Sequence, residues 1–90
     1  MTTSNKMKVK QISGEARTIY GKFYDLLDRL QEIATAEEDS LESVPYINRF
    51  SDKYEDDEEF VVRLNEAVEA VDEAVHKMLQ AVEFIDNVLE

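Results

Sequence analysis

Carboxylates are the residues richest in chemical potential in this 90-residue chain. Glu55, Asp56, Asp57, Glu58 and Glu59 stand in an unbroken run, and Glu66, Glu69, Asp72, Glu73, Glu83 and Asp86 continue the series toward the C-terminus. Such a density suits three chemistries: binding a hard cation, transferring protons, or taking the place of phosphates in front of lysines and arginines. The first is disfavoured by spacing. Asp52, Tyr54, Asp56, Asp57 and Glu59 do not follow the order of a calcium loop, and no glycine occupies the sharp-turn position. The second is disfavoured by setting, because carboxylates on solvated helix faces do not acquire the raised pKa that acid–base work needs. A structural role competes with the third. The same run can open a helix, with Asp56 or Asp57 as cap and the other acids favoured by the helix dipole.

His76, the only histidine, has Lys77 beside it and no second imidazole or cysteine to share a metal. It reads as a surface side chain. The chain also lacks a nucleophile elbow, a Gly-rich phosphate loop and paired Glu-x-x-His motifs, so the expectation is a protein that is not an enzyme and needs no metal or cofactor. What remains is an acidic partner-binding surface of Glu55, Asp56, Asp57, Glu58, Glu59, Glu66, Glu69, Asp72 and Glu73.

Charge sharpens this. The formal net charge is −11, with six basic and four acidic residues in 1–36 but four basic and seventeen acidic residues in 37–90. A body this negative repels nucleic acid and anionic membranes, so a protein partner, helical or basic, is expected in their place. Surplus carboxylates that only keep the chain soluble are the plainer alternative. No cysteine is present to staple the fold. No apolar run approaches membrane length and the N-terminus has no apolar core segment, which reads as a soluble chain without a cleavable signal peptide, cytoplasmic rather than secreted.

The elements that carry these residues follow from periodicity. From Val61, steps of seven reach Val68, Val75, Val82 and Leu89, with Leu64, Val71, Met78 and Ile85 between them. Ala67, Ala74, Ala81 and Val88 widen the stripe, which predicts a helix over 57–89. Upstream, Ala16, Tyr20, Phe23, Leu27, Leu30 and Ala34 make a matching seam, and Ile12, Ile19, Leu26 and Ile33 a third column. A helix over 13–43 is predicted, capped by Ser13 and stopped by Pro45. Gly21, inside it, suggests a close helix crossing. Residues 45–55, with Tyr46, Ile47, Phe50 and Tyr54, are read as a turn with a short third helix capping the hairpin, and residues 1–11, with Lys6, Lys8 and Lys10, as a flexible basic arm before a single helical domain over 12–90. The fold class is thus an all-α antiparallel helical hairpin, closing as a four-helix bundle in a homodimer or heterodimer. Phe23, Leu30, Leu64, Val71, Met78 and Ile85 are the candidate apolar partner-binding residues.

The segment Lys8-Val-Lys-Gln-Ile-Ser-Gly-Glu-Ala-Arg leading into the first helix, and the turn at Val44-Pro-Tyr-Ile-Asn, give the chain a length and layout that resemble the Trp-x-Gly family of small type VII secretion hairpins. Tyr46-Ile47-Asn48 stands where that family has Trp-x-Gly, and the only Tyr-x-x-x-Asp spacing, Tyr24 to Asp28, falls inside the first helix. The resemblance implies a dimeric, exported or export-targeting protein without catalytic activity.

Overall fold

A computed structural model describes residues 2–90. The chain is an all-α hairpin: α1 spans Thr3–Glu42, a single 3-10 turn spans Tyr46–Asn48, and α2 spans Asp52–Asn87. The two helices lie antiparallel in a rod of 70 × 16 × 14 Å.

α1 begins ten residues earlier than Ser13. Thr2 is the cap, its Oγ1 accepting from the Asn5 amide at 3.2 Å, so residues 3–11 are helix rather than a flexible arm. The reason is register. Val9 lies seven residues before Ala16 and Ser13 seven before Tyr20, so the seam reaches back to Val9, while residues 3–8 are exposed helix that continues past the end of α2. Ser13 is buried in that seam instead of capping a helix. Every buried or half-buried residue of α1 falls on one alternating series, Val9, Ser13, Ala16, Tyr20, Phe23, Leu27, Leu30, Ala34, Glu37 and Leu41. Its partner series on α2 runs Val61, Leu64, Val68, Val71, Val75, Met78, Val82 and Ile85.

The connection is shorter than a third helix. The Ser43 and Val44 amides close α1 by donating hydrogen bonds to the Asp39 and Leu41 carbonyls, and Pro45 turns the chain. Arg49 reaches back, its Nε donating to the Val44 carbonyl and its Nη2 to the Glu42 carbonyl, both at 3.1 Å. Those are carbonyls a helix end leaves without amide partners. Tyr46, Ile47 and Phe50 point into solvent and do not cap the core; Tyr46 and Phe50 stack edge to face at 5.5 Å. α2 then starts at Ser51, whose hydroxyl accepts from the Tyr54 amide at 3.1 Å, so neither Asp56 nor Asp57 is its cap. Asp52 and Glu55 are the acids of the first turn.

This geometry buries little. The buried apolar side chains are Leu27, Ala34, Val61, Val75 and Val82, each still 3–7% exposed. A compact 10.4 kDa monomer would expose about 5,400 Å², whereas this chain exposes 6985 Å². Gly21 does not mark a close crossing: a methyl built on it meets nothing within 4 Å, and the same is true of Gly14.

Two stability outcomes follow. Gly21→Ala adds helix propensity at no steric cost, so it raises stability by about 1 kcal/mol, or roughly 4–8 °C in a thermal melt. Val75→Asp puts an unpaired charge at a position only 3% exposed, and it abolishes the cooperative melt followed by far-ultraviolet circular dichroism.

Candidate interaction surfaces

An α-helix sorts its residues into columns, and antiparallel packing decides which columns share a side. In α1 the buried column is Ser13, Tyr20, Leu27 and Ala34. Turning in one sense brings first Ala16, Phe23 and Leu30, then Ile12, Ile19, Leu26 and Ile33, then Lys8, Glu15, Lys22 and Arg29, each step about 50°. In α2 the same turn from Val61, Val68, Val75 and Val82 brings Leu64, Val71, Met78 and Ile85, then Phe60, Ala67, Ala74, Ala81 and Val88, then Arg63, Ala70, Lys77 and Phe84. Because the helices run in opposite directions, the two rotations lead to the same side of the hairpin.

The opposite rotation leads on both helices to a polar side, and cross-helix contacts verify it. Tyr20, Tyr24, Asp28 and Gln31 face Asp72, His76 and Leu79 across a shallow cleft of about 240 Å³. Asn65 Nδ2 donates to Glu38 Oε1 at 2.7 Å. Ser13 Oγ donates to Asp86 Oδ1 at 2.5 Å, and Arg17 forms an ion pair with the other oxygen of Asp86.

The first side is therefore a continuous apolar face. Phe23, Leu30, Leu64, Val71, Met78 and Ile85 are all half-buried and form its floor along the midline. Ile12, Ile19, Leu26 and Ile33 stand above it, between 43% and 52% exposed. The register set by Ser13 with Asp86 and Glu38 with Asn65 puts Ile19 level with Ala81, Leu26 with Ala74 and Ile33 with Ala67. A bulky ridge on α1 thus runs beside an alanine trough on α2. The Ile12 column, the third of the helix's apolar face, is the part left outside, because two rods in contact cover only the columns that point at each other.

The acidic residues divide. Glu66, Glu69, Asp72, Glu73, Glu83 and Asp86 all lie on α2 turned away from the apolar face, and Glu55, Glu58 and Glu59 share their side. Asp56 and Asp57 fall on the apolar side near the turn, where Asp57 pairs with Lys53 at 3.9 Å. The run Glu55 to Glu59 is thus split around the helix and is not a single docking patch. His76 is exposed, its Nδ1–H donating to the Asp72 carbonyl oxygen at 2.8 Å. Among the described residues no group of His, Asp and Glu side chains is arranged to hold a metal ion, and no helix is long and apolar enough to cross a membrane.

No family model matches the sequence, and no curated protein or solved structure is significantly similar to it.

Asp86 ties the open end of the hairpin to pH. The Ser13 hydroxyl hydrogen bond, reinforced by the Arg17 charge and opposed by partial burial, holds its carboxyl below the ordinary 3.8. A depressed folded value means that the contribution is complete well above 3.8 and is lost as pH falls below it, through the depressed value. Asp86→Asn removes this dependence, so its melting temperature falls less than that of the parent between about pH 5 and about pH 2. Melts at fixed ionic strength check this.

Proposed function

We propose that this chain is a non-catalytic interaction module, a rigid hairpin that presents its apolar face to a helical partner protein. The observation that carries the reading is the ridge of Ile12, Ile19, Leu26 and Ile33, left about half exposed beside the Ala67, Ala74 and Ala81 trough. Contiguous apolar surface of this extent is uncommon on monomers and marks sites of association. The hairpin exposes about 1,600 Å² more than a compact monomer of this mass, because two rods bury less than a globule does. Helix pairs with this layout close by taking up further helices as a bundle.

A second reading rests on the carboxylates. Glu66, Glu69, Asp72, Glu73, Glu83 and Asp86 lie on one side of one helix, as an acidic decoy occupying the basic groove of a nucleic-acid-binding protein would require. The apolar face has no role in that reading, and its exposure favours the first.

The readings separate by where a partner touches. A photoreactive amino acid placed at Leu26 and, in a second variant, at Glu69 reports the two sides in the source cell. Protein adducts are expected from Leu26 and none from Glu69. Adducts confined to Glu69, with a nucleic-acid-binding protein in them, overturn the module reading and establish the decoy.

A further inference from the structure

The apolar face is not rimmed as the net charge suggests. Flanking the ridge on α1 are Lys8, Glu15, Lys22 and Arg29, and flanking the trough on α2 are Arg63 and Lys77 with Ala70 and Phe84. Five of the ten basic residues of the chain therefore border this face, against Glu15 and, near the turn, Asp56 in the same two columns; Glu37 and Asp57 stand in the floor columns at that end, and the acids of α2 beyond Phe60 all lie on the far side. Arg29 and Arg63 pair outward with Asp25 and Glu59, at 3.6 and 2.5 Å. Among the described residues Lys22 and Lys77 have no ion-pair partner.

Resting on the module reading above, we infer that the partner is an amphipathic helix with carboxylates along the edges of its apolar stripe. It lies along the alanine trough against the isoleucine ridge, with one edge against Arg63 and Lys77 and the other reaching over the ridge to Lys22 and Arg29. Shape and charge both select it. The trough is low where alanines stand and is walled by the isoleucine ridge, which suits a single rod of side chains. The spacing of Lys22 and Arg29, and of Arg63 and Lys77, by multiples of seven matches carboxylates repeating on a heptad. A second copy of this chain fits worse. Face-to-face pairing of two copies sets one basic rim on another, and where α1 lies over α2 of the other copy it brings Lys22 level with Lys77. Like charges at the rim are a common means of rejecting a wrong partner. The strongly negative body thus recognises an acidic partner.

Two synthetic helices test this, each of about four heptads with leucine at the two core positions. One has glutamate at both flanking positions and the other lysine. Titrated against the intact chain at low salt, the glutamate peptide is expected to bind at least about tenfold more tightly, with the preference shrinking as salt rises. Lys22→Glu combined with Lys77→Glu inverts the preference. Both sites are exposed, and unchanged circular dichroism confirms the fold of the double variant. Equal binding of the two peptides, preference for the lysine peptide, or binding of neither overturns the inference. So does a dimer of the chain alone in sedimentation equilibrium that Leu26→Glu dissolves, or binding to phosphatidylserine vesicles in place of the glutamate peptide. Cross-links from Leu26 with no peptide preference leave the module reading standing and remove only the acidic edge.

Discussion

The constraint on which the rest depends is that two rods can bury only the columns that point at each other. Each helix here has three apolar columns, and the contact accommodates about one and a half of them. Leu27, Ala34, Val61, Val75 and Val82 are buried, the next column on each helix is half-covered, and the third is left in water. Neither helix is stable alone in proportion to its length, since most helical stability comes from packing one face. The hairpin therefore exists because of a narrow seam, and its uncovered apolar face follows from the same arithmetic.

Periodicity made most of this legible. The steps of seven from Val61 and the matching series from Ala16 specify two helices, their antiparallel pairing and the residues of the contact. Pro45 marks where they turn. The boundaries were less visible, because caps compete locally: Ser13, Asp56 and Asp57 are good cap residues by type, yet Thr2 and Ser51 hold those roles. Val9 was the missed signal, a single apolar residue in register amid lysines. Arg49 was equally hidden, because nothing in its surroundings announces that its guanidinium closes the end of α1.

The surfaces were half legible. Phe23, Leu30, Leu64, Val71, Met78 and Ile85, the apolar candidates that the spacing offers, form the floor of the exposed face, whereas the isoleucine ridge beside them is not singled out by spacing alone. A wheel of three columns cannot say which outer column loses until the partner helix is placed. The acidic run Glu55 to Glu59 looked like one patch in sequence and is divided by the 100° turn per residue. Counting charge along the chain located the acids in the second half. Counting it around the helix shows that half of the cations border the apolar face, a distribution that net charge conceals.

The hairpin also has no middle in the sense that a globule has one. Each layer touches only the layers above and below it, so cohesion is spread along a line and the terminal layers have a neighbour on one side only. Ser13, Asp86 and Arg17 sit near the unjoined end, where a polar latch takes over from apolar packing. Separation of the two helices accordingly starts there and travels toward Pro45, so the open end is the part of the molecule that a bound partner has most to gain by clasping.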